Sequence, residues 1–290
     1  NMVIVQLSGG LGNQMFEYAL YLSLKAKGKE VKIDDVTCYE GPGTRPRQLD
    51  VFGITYDRAS REELTEMTDA SMDALSRVRR KLTGRRTKAY RERDINFDPL
   101  VMEKDPALLE GCFQSDKYFR DCEGRVREAY RFRGIESGAF PLPEDYLRLE
   151  KQIEDCQSVS VHIRRGDYLD ESHGGLYTGI CTEAYYKEAF ARMERLVPGA
   201  RFFLFSNDPE WTREHFESKN CVLVEGSTED TGYMDLYLMS RCRHNIIANS
   251  SFSWWGAWLN ENPEKKVIAP AKWLNGRECR DIYTERMIRL

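Results

Sequence analysis

Residues 159–168 read Val-Ser-Val-His-Ile-Arg-Arg-Gly-Asp-Tyr (VSVHIRRGDY), and this stretch decides the fold. Apolar and polar residues alternate from Val159 to Ile163, which predicts a strand. The strand runs directly into Arg164 and Arg165, then a glycine and an aspartate. A buried strand that delivers paired guanidinium groups at its carboxyl end is suited to an anion. The planar fork of arginine matches phosphate oxygens two at a time and keeps its charge at every working pH. In open α/β sheets, ligands sit outside the carboxyl ends of the strands. The first expectation is therefore a phosphate-bearing ligand near Arg164 and Arg165.

Working outward, the second half of the chain repeats this pattern. Strand-like segments fall at 158–163, 201–205, 222–224, 245–248 and 266–269, with helical patterns at about 182–196, 209–218, 231–241 and 252–260 between them. Such alternation predicts a parallel sheet covered on both faces. Near the start, Met2–Leu7 (MVIVQL) reads as a buried parallel strand, a helix follows from about Gln14 to Lys27, and Val31–Asp34 reads as a second strand. The region 41–150 is less regular and defines no clear element order. An α/β fold of two Rossmann-like domains is expected, residues 1–150 and 151–290, with the boundary in 141–157 where Pro-Leu-Pro-Glu precedes a charged helix.

Composition narrows the function classes. With 41% hydrophobic and 31% charged residues the chain belongs among ordinary globular proteins. A net charge of −4 speaks against a general nucleic-acid binder. Eight cysteines include no CxxC pair, which removes the usual zinc spacing and predicts free thiols in a reducing compartment. The sequence shows no leader and no apolar run long enough to span a bilayer, so a cytoplasmic location without a transmembrane segment is expected. The sequon at Asn249-Ser250-Ser251 is then accidental. Nine of the seventeen residues from Arg77 to Arg93 are Lys or Arg. They read as a solvated helical face or, alternatively, as a surface for an anionic partner such as a membrane carrying a lipid-linked substrate.

Three further motifs bear on chemistry, each with a plain structural alternative. Ser8–Gln14 (SGGLGNQ) lies between a strand and a helix, where glycines let backbone N–H groups approach a ligand beside a helix N-terminus, or simply make a tight turn. It is neither a P-loop nor a dinucleotide fingerprint, because no GK[ST] follows and Met15 stands at the third glycine position. The amides of Asn13 and Gln14 would suit a sugar or phosphate. Phe202–Trp211 (FFLFSNDPEW) ends a strand at Asn207-Asp208, where a carboxylate either caps the next helix or accepts from a guanine edge. Asn249–Leu259 (NSSFSWWGAWL) puts hydroxyls ahead of a helix, as caps or as a diphosphate site, with tryptophans expected to pack. His162 is either a neutral core histidine or a group that touches a base.

Together, GGLGNQMFEYA at 9–19, VHIRRGDY at 161–168, LFSNDPEW at 204–211 and NSSFSWWGAWL at 249–259 resemble the bacterial-type α-1,2-fucosyltransferases of glycosyltransferase family 11. The resemblance spans nearly the whole chain. It implies a GT-B-like fold, two Rossmann-like domains facing each other across a cleft, with the C-terminal one binding GDP-fucose and the N-terminal one on the acceptor side. It implies inverting transfer of fucose to the 2-hydroxyl of a terminal β-galactoside, with no metal or other cofactor. Arg164 would contact the β-phosphate, and Arg165 would support the site. His162 and Asp208 would face guanine, and Ser250, Ser251 and Phe252 would sit by the diphosphate. Asn13, with Gly10 and Gly12, would reach phosphate and fucose. Departures are Glu17, where relatives often carry Gln, and the acceptor region 170–181, where Thr178-Gly179 is the nearest match to the His-Gly pair of many relatives and His173-Gly174 lies earlier, as in an inserted loop. Glu17, Asp34, Asp35 and Asp167 are the nearby carboxylates that could serve as base. An α-1,6-fucosyltransferase and a non-catalytic nucleotide-sugar or glycan binding protein are the alternatives.

Overall fold

The structure is a computed structural model that describes residues 1–165 and 175–290. The chain divides into two compact units, Asn1–Arg131 and Phe132–Leu290.

In the first unit, β1 (Val3–Gln6) pairs in parallel with β2 (Val31–Asp34) on one side and with β4 (Ala107–Glu110) on the other; β3 (Ala89–Arg91) closes the far edge, giving the order β2-β1-β4-β3. Helix α1 (Leu11–Ala26) connects β1 to β2 and buries Met15, Phe16, Ala19, Leu20 and Leu24. It begins three residues earlier than the hydrophobic pattern suggests. Gly10 takes the N-cap position, so Gly12 and Asn13 belong to the first helical turn rather than to a glycine loop. Helix α2 (Arg61–Thr68) starts with a capping box in which Ser60 and Glu63 exchange hydrogen bonds. Asp73 caps α3 (Ala74–Thr83), and α4 (Pro99–Glu103) and α5 (Glu123–Ala129) complete the unit.

The second unit opens with α6 (Arg133–Glu136) and α7 (Glu144–Glu154) and then builds β5 (Gln157–Ile163), α8 (Glu183–Leu196), β6 (Ala200–Ser206), α9 (Pro209–Phe216), β7 (Cys221–Val224), α10 (Gly232–Arg241), β8 (His244–Ile246), α11 (Ser251–Leu259), β9 (Val267–Ala269) and β10 (Met287–Arg289). Its six-stranded sheet is parallel throughout, in the order β10-β9-β8-β5-β6-β7. The unit boundary thus lies upstream of the expected 150/151 division. The reason is α7, which packs on α10 and β5 and whose Tyr146 hydroxyl donates to Asp235 of α10 at 2.7 Å.

The alternation in β5 does not separate core from solvent. Val159, Val161 and Ile163 join a cluster with Tyr186, Ala189 and Met193 of α8 and Phe202 and Leu204 of β6. The polar residues are buried as well. Ser160 Oγ accepts from Asn245 Nδ2 at 2.7 Å, and Asn260 Nδ2 donates to Asn245 Oδ1 at 2.9 Å, so the buried amides satisfy one another. The tryptophans of α11 pack as expected: Trp254 and Trp255 are wholly buried, and Trp254 Nε1 donates to Ile282 O at 2.7 Å. All eight cysteines are unpaired thiols, three of them buried. Among the described residues no helix is long and apolar enough to cross a membrane.

Helices α10 and α11 approach closely at Gly256, where an added Cβ would lie 2.9 Å from Met239 Cβ. A branched side chain there must push the helices apart. Gly256→Val is expected to lower stability by about 2–3 kcal/mol, read from the urea midpoint; an unchanged midpoint would show that the helix pair is loosely packed.

Candidate active site

In the second unit, β6 and β7 run off one side of β5, while β8, β9 and β10 run off the other. The direction of strand addition therefore reverses between β5 and β8. Such a switch point opens a crevice at the carboxyl ends of the two strands, where doubly wound sheets bind ligands. The chain leaves β5 at Arg164 and leaves β8 through Asn249–Ser251 into α11. The two exits meet: the rings of His162 and Phe252 lie 5.6 Å apart, centroid to centroid. Gly232 at the start of α10 abuts the same Phe252 ring.

His162 is 7% exposed, and its Nδ1 is buried without a hydrogen-bond partner among the described residues. Burial and, next, the charge of Arg164 push its pKa down to about 3, so the ring is neutral near pH 7. Arg164 is half-buried directly after the strand. Arg165 is held on three sides. Asn207 Oδ1 accepts its backbone N–H and Asn207 Nδ2 donates to its carbonyl, both at 2.7 Å; its Nε donates to Asp208 Oδ2 at 3.2 Å; and its guanidinium lies 3.8 Å over the Trp211 ring. Asp208 also caps α9, accepting from Trp211 N at 3.2 Å. The capping alternative is therefore observed for Asp208, and each of its oxygens is already engaged once. Asn207 is the residue that sequence reading passed over. It lies 42 positions from Arg165, and only the pairing of β5 with β6 brings the two loops together.

The amino end of α11 is different. Ser250 occupies the N-cap position with extended backbone, yet its side chain makes no capping bond. Neither Ser250 Oγ nor Ser251 Oγ bonds another described residue. The local holding falls instead to Ser253, whose Oγ accepts from Ala248 N at 3.2 Å and is buried. A helix start with open N–H groups and two hydroxyls has the donors that an anion needs.

The first unit has a switch point of its own, between β1 and β4. Ser8–Gly10 follows β1, and Gly111–Gln114 follows β4. Asn13 Oδ1 accepts from Gln114 Nε2 at 2.8 Å, which joins the two exits. Gly9 adopts φ +67°, and a Cβ there would strike the Asn13 amide at 2.5 Å. Gln14, a candidate sugar or phosphate contact from sequence, is instead wholly buried. Its Nε2 donates to Gly9 O and Pro46 O, and its Oε1 accepts from Gln48 N. Arg45 was not anticipated: a Cβ on Gly10 would lie 2.5 Å from its Nη1, so a guanidinium rests against the glycine turn.

The carboxylates considered as bases are occupied. Asp34 Oδ1 accepts from Val36 N and Thr37 N, a turn contact. Asp35 would be raised by burial, but hydrogen bonds from Arg58 and Tyr56 hold its carboxyl below the usual range. Glu17 is wholly buried and accepts from Ser8 N and Ser8 Oγ. Asp167, with His173 and Gly174 and the first part of the expected acceptor segment 170–181, lies outside the described residues. Among the described residues no three His, Cys, Asp or Glu side chains are grouped as a metal-ligand set.

Burial pushes the Glu17 carboxyl well above its ordinary range; the Ser8 hydrogen bonds offset part of this, and the charge of Glu92 adds to it. A carboxyl raised in the folded state contributes its full stability below its unfolded pKa and loses it as pH rises through the folded value. Glutamine keeps the shape and the acceptor for Ser8 N without titrating. Glu17→Gln is thus expected to match the wild type at about pH 5 and to exceed it in urea midpoint at about pH 8. A difference that is the same at both pH values would show that Glu17 is ionised in the folded protein.

Residues 110–285, which contain the whole switch point of the second unit, match the model of glycosyl transferase family 11. The O-antigen biosynthesis glycosyltransferase WbnK of Escherichia coli is 30% identical, over 98% of this chain and 99% of that protein. An α-1,2-colitosyltransferase of Escherichia coli is also 30% identical, over 100% of this chain and 99% of its own length. Galactoside α-(1,2)-fucosyltransferase 1 of Saimiri boliviensis boliviensis is 32% identical over a shorter stretch, 35% of this chain and 28% of that protein. With its C-terminal unit matched by the family and its full length matched by two bacterial transferases, the chain belongs to glycosyl transferase family 11.

Proposed function

We propose that the protein transfers L-fucose from GDP-fucose to the 2-hydroxyl of a terminal β-galactoside, with inversion at the fucose anomeric carbon. One observation carries this reading: at the switch point of a six-stranded parallel sheet, His162, two residues before Arg164, sets its ring against Phe252 in the open first turn of α11. The relatives favour the α-1,2 linkage, and the fucosyltransferase among them favours the sugar.

In this mechanism the acceptor oxygen attacks fucose C1 while the bond from C1 to the β-phosphate oxygen breaks. The bonding electrons leave with GDP, and the proton of the acceptor hydroxyl passes to solvent water. Arg164 and the N–H groups of α11 stabilise the charge that grows on the diphosphate. A fixed cation does this without a metal ion, and no other cofactor enters the scheme. Losing one such preorganised donor typically costs ~3–4 kcal/mol in the transition state. Ser250, Ser251 and Phe252 line the diphosphate. His162, neutral and with an unmet Nδ1, faces guanine. Asp208 joins it there, since an ionised carboxylate has about four acceptor positions and two are used. Asn13, beside Gly10 and Gly12, contacts phosphate or fucose.

A second reading concerns the sugar. The full-length similarity to an α-1,2-colitosyltransferase favours colitose, which is fucose without its 3-hydroxyl.

Incubation with GDP-fucose or GDP-colitose and a panel of β-galactosides, followed by linkage analysis, decides between them. Fucose joined α-1,2 is expected, with kcat/KM for GDP-fucose the higher. In Arg164→Ala, kcat should drop about 10²–10³-fold while the urea midpoint stays put. Turnover within tenfold of wild type would remove Arg164 from its role, and GDP binding without transfer to any acceptor would make the protein a binding module.

A further inference from the structure

Helix α3 is amphipathic in the wrong sense for a helix that belongs to a core. Leu75, Val78 and Leu82 lie along one face at helical spacing, and they are 84%, 55% and 80% exposed. Met72, just ahead of the helix, is 76% exposed. No residue of α3 is buried. The helix is instead held by arginine side chains, from Arg80 opposite the ridge and Arg79 at its edge. Arg79 pairs with Asp69; Arg80 donates to Asp69 O at 3.1 Å and to Ser71 O at 2.6 Å; and beyond the helix Arg85 Nε donates to Thr68 O at 2.7 Å. The nearby apolar cluster of Ile4, Met67 and Leu108 includes none of the α3 residues. The arginines face the protein and the leucines face water.

Charge singles out what covers this ridge. Lys81 borders it beside Val78, with Arg77 next round the helix; both are exposed and make no ion pair with another described residue, and Arg85, Arg86 and Lys88 follow directly and are exposed. Residues 69–93 hold nine Lys and Arg against three Asp and Glu, a net of +6, whereas the whole chain is −4, so the rest carries −10. An apolar ridge flanked by unpaired cations, on an otherwise acidic protein, matches the interfacial region of an anionic bilayer. There the side chains of Leu75, Val78 and Leu82 enter the headgroup–acyl boundary and the cations meet lipid phosphates.

We propose that α3 with the segment 84–88 docks the protein on the surface of an anionic membrane. This inference does not depend on which sugar is transferred, and its test does not use activity. A second copy of the chain is the competing occupant, but two such faces would bring like charges together.

The test is co-sedimentation of the full chain with vesicles of phosphatidylcholine, with and without about one third phosphatidylglycerol. Binding is expected only to the anionic vesicles. Removing two surface cations in Arg77→Ala/Lys81→Ala should weaken it about 30-fold, and Leu75→Ser/Leu82→Ser by at least about tenfold. All four side chains are exposed, so circular dichroism and the urea midpoint should not change. Three results would overturn the proposal: no binding to anionic vesicles, equal binding to neutral ones, or variants that bind as wild type. Self-association in sedimentation velocity that Leu75→Ser/Leu82→Ser abolishes, without vesicle binding, would make the ridge a dimer interface instead.

Discussion

A sheet whose strands all run one way collects every carboxyl end on a single edge, and the chemistry of the second unit depends on that constraint. Parallel strands must be joined by crossovers, and here helices α8 to α11 serve, each starting at the edge where the strands stop. Positive helix ends therefore gather where the chain turns. Only one gap on that edge lies between strands whose chain runs off in opposite directions, β5 and β8. Arg164 comes directly after β5, and Ser250 comes four residues after β8, at the N-cap of α11. The His162–Phe252 contact joins the two exits.

The two arginines that look equivalent in sequence are separated by this geometry. Arg165 is fixed by Asn207, Asp208 and Trp211, all from the loop after β6 and the helix it starts. Its charge is shared with a carboxylate and an aromatic face, so it contributes order more than field. Arg164 follows β5 directly, and after burial its charge is the second cause that lowers the basicity of His162 on that strand. An ion pair and a cation–π contact thus keep one guanidinium from competing with the other for the same anion.

The second unit was legible because its signals are local and redundant. Each strand is a short apolar run, each helix begins near a polar or proline residue, and five strands and four helices fall within a few residues of their expected places. What escaped was either short or distant. Strands β3 (Ala-Tyr-Arg) and β10 (Met-Ile-Arg) have three residues each and end in arginine, without the apolar run that marks the equally short β9 (Val-Ile-Ala). Strand β4 is four residues, Ala-Leu-Leu-Glu, in a region of irregular pattern, yet it occupies the centre of the first sheet and brings Gln114 to Asn13. The roles of Gln14 and Glu17 also depend on tertiary burial. Both look like surface polar groups on a helix with an apolar stripe, and both are wholly enclosed, tying Ser8 and Gly9 into place. The start of α1 was misplaced for the opposite reason: glycines at 10 and 12 suggest a loop, but Gly12 adopts helical backbone once α1 packs on β1 and β2.

Helix α3 shows a limit of periodicity itself. A stripe of Leu75, Val78 and Leu82 predicts a face turned inward, because burying apolar area is the usual source of helix stability. Here Arg79, Arg80 and, beyond the helix, Arg85 find better partners: the Asp69 carboxylate and the carbonyls of Thr68, Asp69 and Ser71, at and just after the end of α2. Those carbonyls would otherwise lack acceptors' usual partners at a helix terminus, so cationic donors satisfy them and complement the dipole of α2 at once. Once the charged face is claimed by hydrogen bonds, geometry leaves the leucines no inward direction. The same contacts that fix α3 to the protein therefore determine which of its faces is presented outward, and an outward apolar ridge beside unpaired cations is a surface whose natural counterpart is both oily and negatively charged.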